Sequence, residues 1–166
     1  KLEEVKEEGQ ETKTNGTSVW NMAGTWEEKD VTKAVTEQLK TCLGQAEYEL
    51  PDSSPAPHSK ISVDKVECKS GHASVARVRG KKRFIYEYDV LVHWVFVDKE
   101  TIAKGTLHYF DIDGTSDESH EATFNVTESD DPNLRPLLNA FVANGGLRDS
   151  IQSKLTDWVR WFHETY

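Results

Sequence analysis

The sequence predicts a single α+β domain, in which a long four-stranded antiparallel sheet forms a meander and a C-terminal helix packs on it. Apolar residues change along the chain from a helical period to a period of two and back again, which indicates the order helix, strands, helix. Residues 84–97 keep the period of two far beyond the usual strand of about five or six residues. The chain of 166 residues is long enough to bury one core.

The beginning of the chain is polar and differs in composition from the rest. Residues 1–17 carry almost no bulky apolar side chains, so we expect a disordered acidic arm, because such a segment buries too little surface to offset its ordering entropy. The single domain is assigned to residues 18–166. Its opening segment, Ser18–Asp30, is expected to be an ordered loop with Trp26 buried, while a partly exposed Trp20 would offer an edge to a partner.

The first helix is predicted to begin at Asp30, a residue that favours N-cap positions, and to end at Gly44. The proline-rich residues 51–57 are expected to form a loop, because proline supplies no N–H donor to a helix or a sheet. The apolar residues of the helix fall on one stripe: Val31, Ala34, Val35, Leu39, Cys42 and Leu43.

The strands begin after this loop. Ile61 and Val63 alternate with polar residues, whereas Val66 and Cys68 are out of phase with them, as a β-bulge would produce. A second apolar stretch around residues 75–78 ends at a glycine-containing turn.

The clearest strand is Phe84–Val97. Its odd-numbered residues include Glu87, Asp89 and His93, so we expect one buried and one solvated face. A strand of this length reaches about 46 Å, which predicts an elongated molecule. The even-numbered residues are all apolar: Phe84, Tyr86, Tyr88, Val90, Val92, Trp94 and Phe96.

Two further strands, Thr101–Ile112 and His120–Val126, complete the predicted meander, because the connections are short enough for tight antiparallel turns. Helical spacing returns at Leu134–Phe141. The last helix is expected to cover the apolar face of the long strand with a stripe formed by Leu147, Ile151, Leu155, Trp158, Val159 and Phe162.

Bulk properties narrow the class of protein. The two cysteines, Cys42 and Cys68, are too few for a zinc site or a disulfide framework, which favours a reduced, cytoplasmic chain. The net charge of −9 argues against a nucleic-acid partner, because phosphates repel such a surface. No apolar run is long enough to span a membrane, so no membrane partner is expected.

The sequence lacks the patterns of an enzyme. The six histidines have no spacing that would converge ligands on a metal, although His93 and His108 lie on predicted strands and could be neighbours across the sheet. No nucleophile elbow and no phosphate-binding glycine loop is present. We therefore predict a non-enzymatic protein without a metal or cofactor.

A cluster of positive charge stands out in this acidic chain. It lies at the turn that enters the longest strand and could be a solvated rim that protects a sheet edge. It could also bind an acidic protein surface or a phosphate-rich ligand, since clustered charge speeds encounter and sets specificity. The cluster contains no acid and consists of Arg77, Arg79, Lys81, Lys82 and Arg83, with Gly80 among them.

Two segments, in the same order and spacing, resemble known signatures. The first comprises Val19, Trp20 and Asn21, then Trp26, Glu27, Glu28, Lys29 and Asp30, followed by an amphipathic helix. The second runs from Ala73 through Arg79, Gly80 and Lys81 to Phe84–Tyr88, and Lys104-Gly105 and Asp131-Pro132 match further on. Over about residues 18–165 the chain resembles the N-terminal domain of the Aha-type activators of heat-shock-protein-90 ATPase.

This resemblance implies a cochaperone that is monomeric by itself, binds the middle segment of heat-shock-protein-90 and stimulates its ATPase by favouring the closed state. It assigns partner binding to Trp20, Asn21 and Trp26–Asp30 in the first motif and to Arg79, Gly80 and Lys81 in the second. Charge alone adds Arg77, Lys82 and Arg83 to the expected site.

The chain departs from the family pattern at three places. Gly24 and Thr25 stand where the family carries Trp and His, Val78 stands where it carries a basic residue, and the first helix has Ala34 or Val35 at an aromatic position. These changes are expected to affect how strongly the chain stimulates the ATPase more than they affect its fold. The alternative is a non-stimulating adaptor of the same fold that binds a protein or a phosphoinositide headgroup.

Overall fold

The computed structural model describes residues 26–115 and 120–166. These residues form an α+β domain in which the helices at the two ends of the described chain pack on one face of a sheet. In chain order the elements are β1 (Trp26–Asp30), α1 (Thr32–Gly44), β2 (Glu47–Glu49), β3 (Lys60–Val78), β4 (Lys81–Asp98), β5 (Thr101–Asp113), β6 (Thr123–Ser129), a 3₁₀ turn (Pro132–Leu134), α2 (Arg135–Leu138), a π-helical turn (Asn139–Ala143) and α3 (Leu147–Thr165).

All strands pair antiparallel in one sheet. The order is β1-β3-β4-β5-β6, and β2 pairs with the other end of β3. The 18 residues of β4 extend over about 60 Å, whereas five adjacent strands are only about 20 Å wide. The sheet is therefore much longer than it is broad, as the long alternating segment predicted.

Two register shifts interrupt the pairing of β3 with β4, between Val63 and Lys65 and between Cys68 and Ser70. Each shift inserts one residue into β3, which keeps the apolar residues on both sides of it directed to the same face. The β-bulge predicted from the change of phase in this segment is confirmed.

The core lies between the even-numbered face of β4 and the helices α1 and α3. Trp158 of α3 is fully buried and packs edge-to-face on Tyr86 and Tyr88, with ring centroids 5.1 Å and 5.7 Å away. Its Nε1–H donates to the backbone oxygen of Val35 in α1 at 3.1 Å. The Tyr88 hydroxyl also lies 2.7 Å from the hydroxyl of Thr36. One side chain thus joins both helices to the sheet, and the predicted covering of the strand by the last helix is confirmed.

Two glycines make room for aromatic rings of β4. Gly71 lies opposite Tyr88, and Gly105 lies opposite Trp94. A Cβ atom at Gly105 would overlap both the Trp94 ring and the backbone oxygen of Asn125. The rings can lie flat over the neighbouring strands only because these positions have no side chain.

The structure corrects the expected number and bounds of the strands. The predicted meander is present as β3–β6, but β1 and β2 raise the number of strands from four to six within the described residues. Residues 26–30 form β1 rather than part of a loop, because their N–H and C=O groups pair with the free edge of β3. The last strand is Thr123–Ser129 instead of His120–Val126, so it begins three residues later.

The start of the first helix also differs slightly from the prediction. The N-cap position is Val31, and α1 begins at Thr32. Asp30 still stabilises this end, because its carboxylate accepts a hydrogen bond from the N–H of Thr32 at 2.9 Å. Hydrogen bonding with the side chain and backbone of Thr32 lowers the pKa of Asp30.

We expect Gly105→Ala to lower the free energy of unfolding by about 1–3 kcal/mol, since a methyl group there would force apart the Trp94 ring and the backbone of β6. Urea unfolding would measure this change. Gly44→Ala is the matched control, because a Cβ at Gly44 meets open space; it should be neutral or stabilising by up to about 1 kcal/mol. Equal effects of the two substitutions would contradict the close packing at Gly105.

Candidate functional site

The two motifs that are distant in the sequence are adjacent in the fold. β1 runs antiparallel to β3, and Trp26 lies opposite Val78, the residue just before the basic turn. The first motif therefore forms the strand next to the second motif. The predicted partner-binding residues from 26 to 30 and from 77 to 83 share one end of the sheet, which we call the basic end.

The turn at the basic end is a tight two-residue hairpin. Val78 pairs with Lys81, so only Arg79 and Gly80 lie between the strands. Their φ angles are 53° and 83°, and two successive positive φ angles are typical of the type I′ turn that suits the twist of a hairpin. Gly80 adopts this conformation freely, whereas Arg79 is held there by the pairing on both sides.

Strand alternation divides the basic cluster between the two faces of the sheet. Arg77 and Lys82 are directly opposite each other and share the face that packs on α3, the helix face. Lys81 and Arg83 lie on the other face, which carries the odd-numbered residues of β4 and which we call the open face. Arg79 lies at the tip. The five cations predicted as one site thus form two groups.

The cations on the helix face have local partners. The guanidinium Nε of Arg77 lies 3.7 Å from Glu27 Oε1, and Lys82 Nζ donates to the backbone oxygen of Tyr166. Lys29 Nζ lies 5.7 Å from the centre of the Tyr166 ring. These contacts connect β1, β3 and β4 to the end of α3, so their first role is structural.

The cations on the open side have no such partners. Arg79, Lys81 and Arg83 are exposed, and within residues 26–115 and 120–166 none of them forms an ion pair. Together with Val78 they line a shallow depression of about 340 Å³. Three uncompensated positive charges at one end of a chain of net charge −9 form a local anion-attracting surface.

Exposed apolar side chains lie on the same open face. Ile85, which is 45% exposed, follows Arg83 by two residues on β4. Val97 lies at the far end of the strand, opposite Ile102, and Phe110 stacks on His108 at 3.8 Å. All the exposed large apolar side chains in the described part of the chain are on this face. They do not form one contiguous patch, since twelve residues, or about 40 Å, separate Ile85 from Val97 along β4; Ile85 is the nearest of them to the basic end.

Two histidine–carboxylate pairs occupy the middle of the open face. His93 Nε2 lies 2.6 Å from Glu67 Oε1, and His108 Nε2 lies 2.6 Å from Asp89 Oδ1. The hydrogen bond from His93, followed by the nearby lysines, lowers the pKa of Glu67. His93 and His108 share a face, but each has its own carboxylate, and no group of three potential metal ligands occurs among the described residues.

The remaining predicted site residues fall into two classes. Glu28 lies opposite Ala76 and therefore faces the open side, whereas Asp30 is engaged at the start of α1. Trp20 and Asn21 lie outside the described residues, and so does the side chain of Trp26, which leaves its predicted burial untested.

The sequence reasoning missed the apolar component of the open face. The prediction described this face as solvated because of Glu87, Asp89 and His93. Yet Ile85 and Val97 have the same odd parity, so apolar side chains were also to be expected on this face. That parity was the signal available in the sequence.

Comparisons with known proteins agree with this architecture. Residues 28–166 match the family model described as activator of Hsp90 ATPase, N-terminal. A crystal structure of Aha-1 from Plasmodium falciparum matches with a TM-score of 0.65 at 19% sequence identity, and the match covers 83% of this chain and 91% of that one. No curated protein matches the sequence. No helix in the described ranges is long and apolar enough to cross a membrane.

We expect His93→Ala to raise the pKa of Glu67 towards its ordinary value of 4.5, because the hydrogen bond from His93 is the main cause of the lowered value. Since the folded-state pKa is lowered, the contribution of Glu67 to stability is present above pH 4.5 and is lost as the pH falls through the folded-state value. An NMR titration of the Glu67 carboxyl carbon would measure the shift.

His108→Ala is the control, because it removes a histidine from the same face without touching Glu67. If both substitutions moved the Glu67 titration equally, the specific pairing with His93 would be refuted.

Proposed function

The chain belongs to the family of activators of Hsp90 ATPase, N-terminal, and on that basis we propose that it is a cochaperone that binds the middle segment of Hsp90 and stimulates its ATPase. A protein of this kind acts on the reaction of another protein and is not itself the enzyme. The proposed binding surface is the basic end of the open face.

The observation that carries this proposal is that Arg79, Lys81 and Arg83 line one depression at the hairpin, and that the exposed side chain of Ile85 follows Arg83 by two residues on the open face. A protein interface commonly combines an apolar centre, which is desolvated on binding, with a charged rim that steers the encounter. The tight hairpin fixes the backbone that carries the three cations, so binding an acidic surface has to order their side chains but not the turn itself.

Stimulation requires more than binding. An activator changes a conformational equilibrium only through a difference in its affinity for the two states. A tenfold rise in the ratio of closed to open Hsp90 requires a preference for the closed state of about 1.4 kcal/mol. The basic turn is proposed to contact Hsp90 mainly in its closed state. A chain that bound the open and closed states of Hsp90 equally well would be a non-stimulating adaptor.

The double substitution Arg79→Glu and Lys81→Glu should weaken Hsp90 binding at least tenfold at low salt, since it places two acids where an acidic partner surface would dock. Calorimetry would give the affinity, and the ATPase rate of Hsp90 at saturating activator would give the stimulation. The difference in Hsp90 affinity between the variant and the unchanged chain should shrink at about 0.5 M salt, because salt screens the charges.

The matched control is Arg77→Glu with Lys82→Glu, which makes the same change in net charge on the helix face. It should weaken binding less than threefold, provided that thermal unfolding shows an intact fold. Equal losses for the two pairs would show that net charge, and not the open face, governs the association.

Ile85 separates the proposed protein partner from a phosphoinositide headgroup, which would use the same cations but no apolar neighbour. Ile85→Ser should weaken Hsp90 binding about tenfold, or about 1.4 kcal/mol, and lower the melting temperature no more than Val97→Ser does, because the two side chains are similarly exposed. Val97→Ser is the control: it is 43% exposed on the same face but at the far end of β4. Unchanged Hsp90 binding in the Ile85 variant would exclude Ile85 from the interface.

A further inference from the structure

The three open cations at the basic end lack acidic neighbours within the folded residues. Arg77 on the helix face is paired with Glu27, but Arg79, Lys81 and Arg83 have no ion pair in the described ranges. Glu28 is an acid on the same face, yet it lies two strands away from Arg83, at about 10 Å between backbones. The basic end can therefore accept an acidic segment.

The polypeptide enters the sheet beside these cations. β1 begins at Trp26, which pairs with Val78, and the next residue after Val78 is Arg79 at the tip of the turn. Adjacent strands are about 4.8 Å apart, so Trp26, the first residue of β1, lies within one or two strand widths of the turn. The topology thus brings the start of β1 to the end of the sheet that carries Arg79, Lys81 and Arg83.

The sequence that precedes β1 contains a stretch of acidic residues, and the chain between them is long enough for this stretch to reach the turn. Residues 3–11, which we call the acidic segment, contain Glu3, Glu4, Glu7, Glu8 and Glu11, with Lys6 as the single cation. Residues 12–25 connect this segment to β1 and could extend over about 45–50 Å, far more than the distance to be covered. A tether of this length gives an effective concentration in the millimolar range, at which weak contacts are populated.

We propose that the acidic segment docks in cis on Arg79, Lys81 and Arg83 and competes there with an acidic partner surface. The segment covers the same cations that the proposed Hsp90 contact uses. The apparent affinity of the chain for Hsp90 is therefore reduced in proportion to the fraction of molecules in which these cations are left uncovered. The consequence for Hsp90 rests on the proposed function, whereas the contact within the chain does not. Weak, screened contacts of this kind predict a two- to fivefold effect that disappears at high salt.

The contact is tested on the full chain by replacing the five glutamates of the acidic segment with glutamine. At low salt the backbone amide signals of residues 79–83 should differ between this variant and the unchanged chain, and the difference should vanish at about 0.5 M salt. A control variant neutralises five exposed acids elsewhere in the fold and should leave these signals in place; it consists of Glu37→Gln, Asp64→Asn, Glu100→Gln, Glu121→Gln and Glu128→Gln.

Two results would overturn the proposal. Identical amide signals for residues 79–83 in the unchanged chain and the segment variant would show that the acidic segment is not bound there. Signals that move with protein concentration would show that the segment of a second copy occupies the basic end, and not the segment of the same chain.

Hsp90 binding then distinguishes this inference from the proposed function. The segment variant should bind Hsp90 two- to fivefold more tightly than the unchanged chain at low salt and equally at high salt. If the amide signals reveal the contact but neither protein binds Hsp90, the proposed function fails and the cis contact stands. Tighter binding by the variant without any change in the amide signals would overturn the cis contact and assign the effect to repulsion between the segment and Hsp90.

Discussion

The alternation of side chains along β4 is the constraint on which the rest of the molecule depends, because this one strand carries both the core and the candidate site. Its even-numbered apolar residues belong to the core, and Phe84, Tyr86 and Tyr88 among them pack against Trp158 or Phe162 of α3. Its odd-numbered residues are left for a partner. A slip of one residue in the pairing would exchange the two faces, so the packing of α3 determines which side chains are presented. Each of the two bulges in β3 takes up one extra residue, so the apolar residues of β3 on both sides of a bulge point to the same face of the sheet.

The candidate site therefore lies on a rigid part of the fold. The basic end is a two-residue hairpin between the two longest strands, and Arg79 takes a left-handed conformation that the flanking pairs maintain. β1 supports the same end, since it pairs with β3 up to the residue before the turn. A surface that is already ordered loses little entropy on binding, which favours a contact that discriminates between two states of a partner. A mobile loop with the same charges would adapt to both states and shift neither.

The sequence was sufficient to predict those elements whose residues repeat with a clear period. β4 and α3 were predicted because their apolar stripes are long, and the bulge in β3 was predicted because its phase changes. β1 was not predicted, because an edge strand with four polar residues after Trp26 has no alternation to detect and is defined only by its pairing with β3. The site was predicted as one cluster from its charge. Its division into two faces follows from the parity of Lys81 and Lys82, which charge counting ignores.

The division of the cluster explains how an acidic chain can present a positive surface at all. At a distance a partner meets the net charge of −9, which repels an acidic protein. Within about one Debye length, about 8 Å at physiological salt, the three open cations dominate on their side of the sheet, whereas on the helix face Arg77 is paired with Glu27 and Lys82 is bound to the backbone oxygen of Tyr166. Repulsion at long range and attraction at short range make electrostatics alone a weak source of affinity. The exposed apolar side chain of Ile85 beside the cations supplies a contribution that depends on contact and not on net charge, and for this reason the charge and the apolar side chain have to lie on the same face.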